Sequence, residues 1–215
     1  MNKNLQKRIY TSILLFIFII LFILINKFLF LLAILGILSL CLVEWHKLNH
    51  NYFKRKKIKY NLILSIGIVY AFILLFILVD LRGDNLENAT FLIFILSICA
   101  TSDIGGYIVG KFIGGKKLIK ISPKKTISGS VGSFILSILP LFLFNFQISL
   151  KNIFFCLIIS LSCQLGDLII SYFKRLNKIK DTGKILPGHG GLLDRLDGII
   201  FALPIAYILT ILLII

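Results

Sequence analysis

A chain of 215 residues that is 58% hydrophobic and only 15% charged cannot hide its apolar side chains inside one soluble globule, whose surface must be polar. It is expected to be an integral membrane protein. A net charge of +15 would suggest a nucleic-acid partner for a soluble protein, but the placement of that charge along this chain excludes the idea.

Apolar runs fall near 10–26, 28–44, 61–80, 90–113, 127–145, 150–173 and 199–215. Several approach the roughly 18 residues expected of a bilayer-spanning helix. They predict an all-α, polytopic membrane protein of about seven transmembrane helices, within a range of six to nine. With a cytoplasmic N-terminus, the inner segments are 1–9, 45–60, 111–126 and 174–198. These hold 3, 6, 6 and 6 of the basic residues, 21 of the 24 Lys and Arg. The outer connections hold Lys27, Arg82 and Lys151, one each. Such an asymmetry follows the positive-inside rule, so the basic charge is mainly topological and the C-terminus falls outside.

The N-terminal run resembles a signal sequence but passes through Asn26-Lys27 straight into the next span without a small-residue cleavage site. An uncleaved first helix is expected. Cys41, Cys99, Cys156 and Cys163 all lie within apolar runs without a CxxC pair, and read as small buried residues. Residues 1–90 form a hydrophobic region of three spans with little chemistry. There Glu44-Trp45 reads as an interfacial anchor, and the basic tract Lys54–Lys57 as a surface for anionic lipid. Residues 91–215 hold the polar groups and read as the catalytic membrane region.

In "TSDIGGYIVGKFIGG", 101–115, Asp103 lies in an apolar span, where an ionised carboxylate costs at least ~2.5 kcal/mol unless paired or hydrated. Gly106, Gly110 and Gly114 recur every four residues, the spacing of a close-packing helix face. The following "KKLIKISPKKTISGS", 116–130, offers Lys116, Lys117, Ser122, Lys124, Lys125 and Thr126 as phosphate-binding groups in a turn, beside the reading of an ordinary basic loop. In "CQLGDLIISYFKR", 163–175, helical spacing puts Gln164, Asp167, Ser171 and Lys174 on one stripe. That stripe is expected to face a water-filled cavity, with an Asp167–Lys174 ion pair as the alternative.

The densest polar cassette is "KDTGKILPGHGGLLDRLDG", 180–198. Its Pro-Gly-His-Gly-Gly turn permits left-handed backbone and exposes amides. LLDRLDG then resumes a helix with Asp194 and Asp197 one turn apart. Carboxylates at Asp103, Asp167, Asp194 and Asp197, bracketed by Lys and Arg, suit Mg²⁺ plus phosphate. Together they point to Mg²⁺-dependent phosphoryl or nucleotidyl transfer onto a lipid at the cytoplasmic face. GxxxxGK[ST] is absent, which excludes a P-loop ATPase.

The run "SYFKRLNKIKDTGKILPGHGGLLDRLD", 171–197, resembles the signature of the phosphatidate cytidylyltransferases. "SDIGGYIVGKFIGGKKL" and "ISPKKTISG" resemble that family's upstream segments in the right order. The resemblance implies transfer of CMP from CTP to phosphatidate in a bacterial inner membrane, with the site facing the cytoplasm and no nucleic-acid partner. It implies Mg²⁺, admits K⁺ beside it, and allows a homodimer. Carried over by motif, Asp167 and Asp194 are the metal ligands, with Asp103 and Asp197 as further candidates. Lys174 and Arg195 join them as catalytic residues. Ser122, Lys124, Lys125, Thr126, Ser171, Arg175, Lys180, Asp181, His189, Gly190, Gly191 and Asp197 contact substrate. Ser128 and Ile170 stand where many members carry Glu, which leaves an inactive paralogue as an alternative. A transporter or cation pathway through Asp103 and Asp167 is another. A CDP-alcohol phosphatidyltransferase ranks lower, since its DG-x2-AR pattern is missing.

Overall fold

The structure is a computed structural model that describes residues 17, 19–53, 57–119, 122–183 and 190–213. Among the described residues five helices are long and apolar enough to cross a membrane: α1 (Lys27–Phe53), α2 (Lys57–Arg82), α3 (Leu86–Phe112), α6 (Leu150–Leu176) and α7 (Leu193–Leu213). Between α3 and α6 lie strands β1 (Lys117–Ile119) and β2 (Ser122–Thr126) and the short helices α4 (Ile127–Leu136) and α5 (Leu139–Leu143). The chain is a helical, multi-pass membrane protein. Of the expected first span, 10–26, residues 10–16 and 18 fall outside the described residues, while 17 and 19–25 are helical.

The described residues divide into two compact units. One comprises 1–89 with 173–196, and the other comprises 90–172 with 197–215. In the first unit Asn26 interrupts the helix, and its side chain accepts the Phe28 N–H at 2.9 Å, capping α1. The helix then runs to Phe53, well past the expected end at 44, so Glu44 is not at a helix terminus. Helices α1 and α2 form an antiparallel pair. Lys27, at the start of α1, meets Asp84, just beyond the end of α2, at 2.7 Å. That hydrogen bond, with the charge of Lys27, holds the exposed Asp84 carboxyl below its usual range. Trp45 lies along α2, where Gly67 leaves room for the indole, and donates its Nε1–H to the Ile63 carbonyl at 3.2 Å. Its ring also meets Phe173 edge-on at 5.1 Å.

In the second unit the expected single span at 127–145 is broken. α4 ends at Ser137, and Pro140, which cannot supply an amide hydrogen, sits in the first turn of α5. Helix α4 and the segment just after α5 nevertheless meet α3 between Gly110 and Phe94. Gly110 lies against Thr126 and Gly129, Gly106 against Ser133, and Gly105 against Gly132 and Leu136. Farther along, Phe94 meets Phe144 at 5.6 Å and Phe146 at 4.5 Å. From Gly110 back to Phe94 is about 24 Å at 1.5 Å per residue, most of a hydrocarbon core. The small-residue stripe is thus a packing face, but only through Gly110. Gly114 lies beyond the helix with φ of 63° and open space around its α-carbon.

The segment expected as a phosphate-presenting turn is an antiparallel hairpin, with Lys117 opposite Thr126 and Ile119 opposite Ser122. Pairing satisfies backbone groups that a loose loop would leave to solvent. With only two strands both are edges, so Pro123 is tolerated in β2.

Candidate active site

In the first unit the site is built by the end of α6, the loop after it and the start of α7. Helix α6 is terminated by Lys178, whose φ is 55°, while the Ile179 N–H returns to the Lys174 carbonyl at 3.0 Å. The buried Lys174 donates to Asp194 Oδ1 at 2.8 Å. Asp194 Oδ2 accepts the N–H of Thr182 at 2.7 Å and of Gly191 at 2.9 Å. A buried ion pair survives only when its remaining lone pairs are satisfied, and here three donors share one carboxylate. Asp194 also stands in the first turn of α7, where the helix macrodipole favours a negative charge.

Glu44, from α1, completes this cluster. It is 1% exposed, and it accepts the Thr182 hydroxyl at 2.9 Å, the Leu192 N–H at 3.0 Å and the Leu193 N–H at 2.8 Å. The reading of Glu44-Trp45 as an interfacial anchor misses this role. The usable signal was a carboxylate within an apolar stretch, the same criterion that singled out Asp103. Among the cassette glycines, Gly190 has φ of 90°, as a left-handed turn requires. The amide of Gly191 is engaged by Asp194.

The second unit holds the other carboxylate–lysine pair. Lys125, on β2, lies 2.5 Å from Asp167 Oδ2, and Ser171 donates to Asp167 Oδ1 at 3.2 Å. The Thr126 hydroxyl accepts the Gly129 N–H at 3.1 Å, so it caps α4. Ser128 donates to the Gly114 carbonyl, and Ile170 is buried; these are the two positions where the resemblance expected Glu. Ser130 donates to Gln164 Oε1 at 2.5 Å. Gln164 Nε2 donates to Ser160, whose hydroxyl meets that of Ser102 at 2.7 Å. The Cys163 thiol lies 3.8 Å from Asp103 Oδ1. Asp197 Oδ1 accepts the Gly198 N–H at 3.0 Å, and Gly166 leaves room for the Asp197 carbonyl.

The polar stripe on α6 is therefore shared out among distinct partners. Asp167 takes Lys125, Lys174 takes Asp194, and Gln164 takes Ser130. Ser122 is half-buried on β2. Arg175, Lys180, Asp181 and Arg195 are exposed, with Arg175 donating to the Ile179 carbonyl at 3.3 Å. His189 and the side chain of Lys124 lie outside the described residues. Among the described residues no three His, Cys, Asp or Glu side chains gather in one group. The carboxylate oxygens nonetheless have the chemistry a hard divalent cation takes. An ionised carboxylate offers about four acceptor positions, and the named donors use three on Asp194.

A sequence profile described as the cytidylyltransferase family matches residues 50–213. The chain is 34% identical over 220 residues to a protein of Rickettsia bellii named phosphatidate cytidylyltransferase, an alignment covering 96% of this chain and 91% of that one. Proteins of the same name from Staphylococcus saprophyticus and Bacillus subtilis are 41% and 34% identical over 67% and 68% of this chain. Those alignments cover 57% and 56% of the two relatives. With three quarters of its length under the family profile and a relative of that name aligned over 96% of it, this chain belongs to the cytidylyltransferase family.

Proposed function

We propose that this protein is a phosphatidate cytidylyltransferase, transferring CMP from CTP to phosphatidate to give CDP-diacylglycerol and pyrophosphate. The observation that carries this reading is the cassette's construction. Asp194 draws together Lys174 and the amides of Thr182 and Gly191, residues that lie far apart along the family signature. In the reaction a phosphatidate phosphate oxygen attacks the α-phosphorus of CTP. The new P–O bond forms as the bond to the β-phosphate oxygen breaks, and pyrophosphate leaves with that electron pair. The attacking phosphate is already ionised near neutral pH, so no strong general base is required.

Lys125, Lys174, Arg175, Lys180 and Arg195 are the cations of this chain that would balance the triphosphate and headgroup charge. Asp167 and Asp194 are the proposed Mg²⁺ ligands, with Asp103 and Asp197 as further carboxylates and K⁺ as an accompanying ion. Bound Mg²⁺ would neutralise phosphate charge as it develops. Lys174 would keep Asp194 ionised, and Ser171 would orient Asp167. A bacterial inner-membrane location with a cytoplasmic site and N-terminus accords with the distribution of Lys and Arg. A homodimer is part of the proposal.

Purified protein supplied with Mg²⁺, CTP and dispersed phosphatidate is expected to release pyrophosphate and form a CDP-lipid, followed by radiolabelled CTP. Folded protein that gives no CDP-lipid would overturn the activity and leave the inactive-paralogue alternative standing. Omitting Mg²⁺ tests the metal separately.

A further inference from the structure

We infer that Glu44, which precedes the segment matched by the family profile, is a positioning residue that closes the signature loop from outside it. A buried carboxylate is costly unless donors surround it. Glu44 meets three, and they come from both sides of the loop. The Thr182 hydroxyl lies on the stem that enters it, and the Leu192 and Leu193 amides on the stem that leaves it for α7. Those two amides are among the donors that the first turn of a helix leaves unpaired, so Glu44 caps α7 from a remote helix. Thr182 is gripped twice, by its N–H on Asp194 and by its hydroxyl on Glu44.

The glycines supply an independent observation. Gly183 and Gly191 are not among the positive-φ residues, so left-handed backbone does not explain them. A β-carbon at either position would overlap the Glu44 carboxylate. Their lack of a side chain is what admits Glu44 between the stems. Both stems are then fixed on one side chain, which limits how far Thr182 and Leu192 can separate. It thereby sets where Lys180, Asp181 and Gly190 stand.

The consequence for substrate rests on the proposed CTP reaction, whereas loop closure does not, and the two are measured separately. In Glu44→Gln the amide keeps the shape but replaces one acceptor oxygen with a donor facing backbone N–H groups. Amide exchange at 182, 183 and 190–193 is expected to quicken by at least about tenfold while α2 and α3 keep wild-type rates. In the same protein the KM for CTP is expected to rise by roughly tenfold, the order set by losing a charge-assisted hydrogen bond. A purely structural defect would lower kcat with the folded fraction and leave KM alone. Unchanged exchange at 182, 183 and 190–193 overturns loop closure, and faster exchange with unchanged KM overturns positioning. If Glu44→Gln does not fold, Thr182→Val, which removes one donor, carries the test. Its KM is expected to rise about threefold, with faster exchange over 190–193, and wild-type values overturn the inference. Absence of turnover in the wild type is a failure of the proposed reaction, while exchange still judges the closure.

Discussion

Two lysine–carboxylate pairs of nearly equal length differ in what surrounds them. In Lys174–Asp194 the side chains are 10% and 6% exposed, against 27% and 31% in Lys125–Asp167. Burial decides what each pair contributes. Replacing Lys174 by Ala leaves a desolvated carboxylate without its counter-charge, and a loss of about 3–5 kcal/mol of stability is expected in chemical unfolding. Replacing Lys125 by Ala should cost less than about 1 kcal/mol, because solvent screens the pair it breaks. Its effect should fall on CTP turnover instead, and the two variants compared in one unfolding series test the distinction. Asp194→Asn removes the charge while keeping the shape. Turnover is expected to drop by at least about 100-fold, a loss of roughly 2.7 kcal/mol in transition-state stabilisation. Radiolabelled CTP measures that loss, and retained turnover would remove Asp194 from the site.

At the scale of elements, the decisive contact is α4 on α3. Gly105 and Gly132 face one another so closely that a β-carbon on Gly105 would overlap the Gly132 carbonyl, and one on Gly132 would overlap Val109. Gly132→Val should force the helices apart, with an overpacking cost of about 1–3 kcal/mol read as a lower thermal midpoint. A similar change at Gly114, which has open space but a φ of 63°, tests backbone strain and not packing. Four-residue spacing in the sequence selected Gly106 and Gly110 correctly. It extended the pattern to Gly114 because spacing alone cannot show that the helix ends at Phe112. The hairpin at 117–126 went unread for a related reason. Three- and five-residue strands rich in Lys carry little alternation, and their pairing exists only once the two segments meet.

Over the whole molecule, the positive-inside distribution of Lys and Arg favours a cytoplasmic N-terminus, and counting α4–α5 as one crossing then gives an odd total. A reporter fused after Ile215 is therefore expected on the outer side, and a cytoplasmic signal would mean that α4–α5 turns back. Composition settled the membrane class by itself, because no packing can conceal so much apolar surface from water. The signature between Ser171 and Asp197 was legible for a different reason. Phosphate chemistry demands particular residue types at fixed spacing, and spacing is a property of sequence. What the sequence left undecided was the partner of each charge. Helical periodicity grouped Asp167 with Lys174, yet the ion pairs formed run to Lys125 on a hairpin and to Asp194 on another helix. Glu44, 138 residues before Thr182, could be tied to the cassette only in three dimensions. A buried carboxylate takes whatever donors the fold brings within reach, and distance along the chain does not limit which those are.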